Sequence, residues 1–340
     1  MSETHQKRLP VKRWIVLALI LLGVYFAFMG PGFLRPISPA VVLPGEPIAK
    51  GSPITNTLLA TFVADFVLIL MAFGAWRFAA SGKLVPEGFY NFTEFLIEFL
   101  WNAAEGAAGK WARRIFPWTA TIFLLVFAAN MVKLVPGFES IGRLEQAHGS
   151  VKGYAPVHLF GNVYALDKGW PVEHAAEATV EGAESHGEGL CTSCEVIPYL
   201  RGSATDLNFT FALAVATVVL IQVFGVWALG AAYFGKFVNT RTMFTVPMFG
   251  VIDFGVGILE LVSEFAKILS FGFRLFGNIF AGALLISILG ALTAVVVPSA
   301  LYLLEVFVGA IQAYVFSMLA LVFISQATIS HHGDEHGEGH

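Results

Sequence analysis

The sequence predicts an all-α integral membrane protein of about six membrane helices. These include a long, strongly tilted carboxy-terminal helix pair, and an amphipathic helix lies at the membrane surface. Three observations lead there. Hydrophobic residues make up 56% of the 340 and charged residues 13%, where soluble domains carry roughly 25% charged residues. Mean hydropathy is +0.73. The apolar residues gather into runs long enough to cross a bilayer, and the acids and bases collect between them. Helices are favoured over strands because an isolated strand leaves its backbone unsatisfied in lipid. With the charges segregated, the net charge of −4 says little. There is no basic patch with interleaved aromatics, which argues against a nucleic-acid partner.

The first segment, 1–55, opens with Lys7, Arg8, Lys12 and Arg13 ahead of the apolar WIVLALILLGVYFAFMG. A basic flank before an apolar run fits a signal peptide or a retained first helix. No small-x-small cleavage site follows, which favours retention, and the rest of the segment reads as an outer linker.

The second segment, 56–136, holds two membrane helices, at about 56–80 and 116–136. Between them, Phe92, Leu96, Phe99 and Leu100 recur at helical spacing before Lys110, Arg113 and Arg114. That is the pattern of an interfacial amphipathic helix.

The third segment, 137–205, is polar and rich in Gly, Glu and His, and reads as an extracytoplasmic loop or small cap. It contains Cys191 and Cys194 in a CxxC. In an exported loop these fit a local disulfide. The sharper alternative is a redox or metal site with His186 as a third ligand, which a lone CxxC supports weakly.

The fourth segment, 206–330, holds a membrane helix at about 207–234 and then the helix pair, 250–297 and on to about 329, with Pro298 and Ser299 between. About 40 helical residues span about 60 Å, twice the hydrocarbon thickness, so the pair is tilted or the first helix breaks. Residues 331–340 are a His- and acid-rich tail. It is either a metal-binding tract or, more simply, a solvated end, and no metal or cofactor is assigned. Lys and Arg collect at the amino terminus, in 81–115 and in 235–245. Placing all three on the cytoplasmic side puts both termini there if the first helix is retained.

The chemistry concentrates in the helix pair. Glu260, Glu264, Lys267, Arg274 and Asn278 are spaced by 4, 3, 7 and 4, which keeps them on one helical face, bordered by Ser263 and Ser270. An arginine near the bilayer centre costs at least ~2.5–3.5 kcal/mol on insertion scales. The plain reading of this stripe is internal salt bridging. Glu264 and Lys267 satisfy it, but Arg274 is left with no acid within a turn, so its partner must lie on another helix or another chain. The last helix repeats the device with Glu305, Gln312 and Gln326 at steps of 7 and 14. A buried carboxylate reached by water can take up and release protons, whereas a lone Gln is often interhelical glue. Asp206, Asn208 and Thr210 open the 207–234 helix, either as caps or as polar lining.

FGFRLFGNIFAGALL followed by GAIQAYVFSMLALVFISQA resembles the carboxy-terminal helix pair of subunit a of F-type rotary ATP synthases. FPWTATIFLLVFAANMVKLVPG, SATDLNFTFALA and ILELVSEFAKILS are similar to other segments of that family. The resemblance covers roughly 56–136 and 203–330.

It implies a stator subunit conducting protons through two offset aqueous half-channels to and from the carboxylates of a rotating c-ring. Arg274 would be the essential counter-charge to those carboxylates. Gln312 and Asn278 would lie near it, Glu305, Asp206 and Asn208 on the outer half-channel, and Glu260 on the cytoplasmic one. Ser263 and Glu264, on the stripe with Glu260, join the same path. ATP chemistry would belong to other subunits, with no cofactor on this chain. The implied partners are c-ring proteolipids, b-type peripheral-stalk subunits and membrane lipid, and the implied location is the bacterial inner membrane.

The chain departs from the family pattern at Ala283 and Lys133, where an acid is common, so Glu305 would carry the outer channel's carboxylate alone. Proton and sodium coupling both stay open, as the ring largely decides the ion. A self-sufficient channel or transporter would be expected to show an internal repeat, and none is visible. A plain anchor would not need Arg274.

Overall fold

The computed structural model describes residues 11–29, 44–49, 51–81, 88–135, 138–146, 153–160, 163–172, 194–237, 247–293 and 296–329. Lys7, Arg8, Lys83, His186, Cys191, Arg241 and the 331–340 tail lie outside them. The helices are α1 (Val11–Met29), α2 (Asn56–Ala80), α3 (Phe89–Ala108), α4 (Ala112–Val132), α5 (Leu207–Leu229), α6 (Pro247–Leu292) and α7 (Val296–Ala327). The strands are β1 (Gly142–Gln146), β2 (Gly153–Phe160), β3 (Val163–Val172) and β4 (Cys194–Pro198).

Among the described residues, five helical stretches are long and apolar enough to cross a membrane. They are Asn56–Ala80, Tyr90–Val132, Leu207–Gly235, Phe254–Gly290 and Val297–Ala327, with a shorter apolar stretch at Trp14–Tyr25. The chain is a helical, multi-pass membrane protein.

Two compact units form. One comprises Leu43–Val135, Arg201–Ile279 and Val308–His340. Its helix ends follow local chemistry. Thr55 caps α2, its side chain accepting from the Leu58 N–H, and Asp206 caps α5 by accepting from the Asn208 N–H. Glycines at φ +47 (Gly109) and +62 (Gly230) end α3 and α5 in a conformation that other residues resist. A 3₁₀ turn, Gly109–Trp111, then leads into α4.

On α3 the buried stripe is Leu100, Ala104 and Ala108, with Leu96 packed against it, while Phe92 and Phe99 stay exposed. The expected amphipathic pattern is therefore present, but narrower and shifted by one ridge. Ile115, Phe123 and Val126 of α4, Ile221 and Phe224 of α5, Phe271 and Leu275 of α6, and Phe316 and Ile324 of α7 complete the core. Phe271 meets Phe316 at 4.9 Å between ring centroids.

The second unit comprises Met1–Val42, Pro136–Leu200 and Phe280–Phe307. Its polar part carries secondary structure that the sequence analysis did not assign. The strands form one antiparallel sheet in the order β1-β4-β2-β3. Gly142 pairs with Pro198 and Gln146 with Cys194, and β2 and β3 form a hairpin with register shifts.

Helix α6 runs unbroken through 46 residues, about 70 Å at ~1.5 Å per residue. The expected choice between tilt and a break is thus resolved against a break. The interruption falls at Thr293, earlier than expected, and Pro298 sits in the first turn of α7. An N-terminal turn leaves its N–H groups without helical partners anyway, so proline starts this helix without disrupting it.

Candidate functional site

The face of α6 is divided by what packs on it. Phe271, Leu275 and Ile279, at steps of four, turn into the core. Arg274, Asn278, Ser263 and Ser270 point away from it and are exposed. Arg274 Nη2 donates to Ser270 Oγ at 3.3 Å, one turn back. Among the described residues no carboxylate lies within salt-bridge distance of Arg274. Ser263, Ser270 and Asn278 share its exposed face, while the exposed apolar side chains Phe265, Leu269 and Phe273 stand about 100–180° round the helix from it. The arginine therefore stands on an open, polar stripe of an otherwise apolar helix.

Closer to the start of the stripe, the polar groups turn inward. Glu264 is 6% exposed, and Lys267 Nζ donates to its Oε1 at 2.9 Å, the local pairing that the i, i+3 spacing suggests. The Lys267 ammonium also lies 5.2 Å from the centre of the Phe323 ring. Glu260 is half-buried. The single stripe of the helical wheel is thus two features, a charge-balanced inner pair and an open outer arginine.

In the unit containing Phe280–Phe307, Glu305 is 6% exposed and lies against Gly282. A Cβ at Gly282 would stand 3.3 Å from Glu305 Oε1, so the absent side chain leaves room for the carboxylate. On α7, Gln312 is half-buried and Gln326 is exposed. Asn130, buried in α4, donates from Nδ2 to Gly309 O at 3.1 Å, and its Oδ1 has no partner among the described residues.

Asp206 combines the two roles left open for it. It caps α5, and it also accepts a hydrogen bond from Thr57 Oγ1 at 2.6 Å in a buried setting. Gly45 packs against both residues. Thr61 Oγ1 donates to Ser203 Oγ at 3.0 Å alongside. Asn208 is exposed. Thr57, Thr61 and Ser203 escaped the sequence reading because their partners lie about 140 to 150 positions away, a separation no local spacing reveals.

An arginine set on an open apolar helix, a buried glutamate under a glycine and polar clusters between packed helices now have a context. Residues 58–325 match the family described as ATP synthase A chain. The chain belongs to that family. It is similar to ATP synthase subunit a of Moorella thermoacetica, 23% identical over 279 residues, which is 82% of this chain and 93% of the relative. Membership of the ATP synthase A chain family makes it a proton-translocating membrane component of an ATP synthase.

The family match spans α2 through most of α7, so Arg274, Glu305 and Asp206 all lie within it. It also spans the sheet, which the sequence resemblance left aside. Cys194 is disulfide-bonded, and the chain has one other cysteine. A disulfide at Cys194 agrees with the local-disulfide reading of the CxxC. Among the described residues no group of three His, Cys, Asp or Glu side chains is placed to hold a metal ion.

Proposed function

We propose that the chain is the stator against which a ring of carboxylate-bearing c subunits turns, passing protons to and from that ring through two offset half-channels. The observation that carries this reading is the environment of Arg274. Its guanidinium is exposed on a helix apolar enough to cross a membrane and, among the described residues, its hydrogen-bond partner is the Ser270 hydroxyl alone. A charge held there needs a counter-ion supplied by another molecule. A ring carboxylate passing the face meets that need at every step.

Arginine stays protonated in proteins, so it serves as a fixed counter-charge and not as a proton carrier. A fixed positive charge favours the ionised form of a carboxyl group facing it. A ring carboxyl reaching Arg274 therefore releases its proton on one side. It takes up another only after it has moved past the arginine. The same charge opposes direct proton passage between the half-channels.

Glu305, buried beside Gly282, supplies an exchangeable carboxylate for the outer half-channel, with Gln312 two turns further along α7. Asp206 and Asn208 belong at the outer mouth. Glu260, Ser263 and Glu264 line the cytoplasmic route, and Asn278 stands one turn from Arg274. The partners are c-ring subunits, b-type peripheral-stalk subunits and lipid, in a bacterial inner membrane. Affinity purification of the tagged chain from detergent-solubilised membranes tests the assembly. A small, ring-forming proteolipid should co-purify in stoichiometric excess. Recovery of the chain without any such partner would contradict the stator reading.

A further inference from the structure

The turn that joins α3 to α4 carries a basic cluster that the proton path does not use. Lys110, Arg113 and Arg114 are close together in the chain, and all three are exposed. Glu105 is the nearest acid in sequence, and from there to Glu139 the chain has no other. Among the described residues, none of the three cations forms an ion pair or a side-chain hydrogen bond. The positive charges are gathered there without an internal counter-charge.

Arg114 is held in place by two indoles. Its guanidinium carbon lies 5.1 Å from the centre of the Trp111 ring and 5.0 Å from that of Trp227. The two rings meet edge to face at 73°, with centroids 6.0 Å apart, and form the walls of a corner. Trp111 packs against the core, and Trp227 leans on the buried Phe224 at 5.7 Å. The corner exists only where the start of α4 meets the last turn of α5. Trp227 is about 20 residues, or about 30 Å, along α5, which is one hydrocarbon thickness from its Asp206-capped end. Tryptophan rings gather at that water–lipid boundary. Trp227 is 58% exposed, and Trp118, one turn along α4 from Arg114, is 51% exposed. The guanidinium N–H donors, meanwhile, have no acceptor among the described residues. Such a planar fork binds phosphate oxygens two at a time. Holding the side chain in advance reduces the freedom lost when it does so.

We infer that Arg114, in its indole corner, binds the phosphate of an anionic phospholipid in the leaflet that meets this turn. Arg113 and Lys110 add charge beside it. Basic clusters at the ends of membrane helices attract anionic head groups in this way. Free phosphate offers the same oxygens. A lipid also brings acyl chains, which cover the exposed Trp227 and Trp118 rings. The inference stands apart from the stator reading, because it concerns neither α6 nor a ring.

The test uses the assembled complex in nanodiscs of phosphatidylcholine, with or without a minor share of phosphatidylglycerol. The probe is phenylglyoxal, a neutral reagent that modifies arginine, with the rate at each arginine read by peptide mass spectrometry. Arg77, exposed in the last turn of α2, is the internal control. Phosphatidylglycerol should slow modification of Arg114 by at least ~5-fold, while Arg77 changes by less than ~2-fold. Trp227→Ala should remove the difference, and Trp227→Phe should keep most of it. Equal Arg114 rates in the two lipids would overturn the proposal, and this wild-type comparison stands even if Trp227→Ala fails to assemble. Equal slowing at Arg77 would show a general effect of a charged surface and overturn it too. If inorganic phosphate in phosphatidylcholine discs protects Arg114 as well as phosphatidylglycerol does, the site takes soluble phosphate and the lipid source is overturned. Protection unchanged in Trp227→Ala would remove the indole corner from the site.

Discussion

Lys267 Nζ stands 2.9 Å from Glu264 Oε1, one turn away on α6, so the acid nearest to Arg274 along that helix is already neutralised. Arg274 is therefore not held by its own helix beyond the Ser270 hydroxyl. The arrangement separates an ion pair balanced within the helix, structural while both partners are charged, from a charge presented outward, although both lie on one helical stripe.

If the inner pair is structural in this sense, breaking it should be costly. Lys267→Met leaves a carboxylate that is 6% exposed without its counter-charge. We predict a loss of about 3 kcal/mol. It should appear as a lower thermal denaturation midpoint in detergent. Adding Glu264→Gln should recover most of the loss, since a neutral amide needs no counter-ion.

Asp206 should matter to folding whether or not it also conducts. Asp206→Ala removes both the α5 cap and the acceptor of the buried Thr57 hydroxyl. The expected cost is about 1–2 kcal/mol. Thr57→Val should lower stability by a similar amount, and the double variant by less than the sum, because the two share one hydrogen bond. Thermal denaturation of the four proteins checks this. Strict additivity would dissolve the coupling.

The apolar runs made the membrane helices legible, and the i, i+3 spacing made the Glu264–Lys267 pair legible. Both signals are local. The sheet was not legible, because Gly142 pairs with Pro198 across more than 50 residues and its short strands, such as GRLEQ and CEVIP, lack a clean alternation. Thr57 and Asp206 meet only after α2 and α5 have packed. Pro298 misled because proline marks a helix start as readily as a stop. On α6 the wheel put on one face residues that the fold divides between an inner pair and an outer, exposed set. Which of them turn inward depends on where α5 and α7 press, and that information is tertiary.

Gly282 and Glu305 make a linked prediction. Gly282→Ala puts a methyl group 3.3 Å from Oε1, which a small shift of the carboxylate relieves, so pumping should change little. Gly282→Val should displace the carboxylate and slow ATP-driven pumping about as much as Glu305→Gln. Both should leave the complex assembled and ATP hydrolysis coupled. Full pumping by Glu305→Gln would reduce Glu305 to a packing residue.

Charge alone should not substitute for Arg274. Arg274→Lys keeps a cation but loses the planar, permanently protonated fork, and we predict near-complete loss of ATP synthesis. Synthesis driven by an imposed proton gradient in reconstituted vesicles measures it. Activity close to wild type would show that any positive charge suffices.

The most direct measurement is ATP-driven proton pumping in inverted vesicles, comparing wild type with Arg274→Ala, with assembly verified by co-purification. The account predicts that pumping is abolished in a fully assembled complex. Pumping retained by assembled Arg274→Ala would contradict it, because the outward-facing arginine would then have no part in proton transfer.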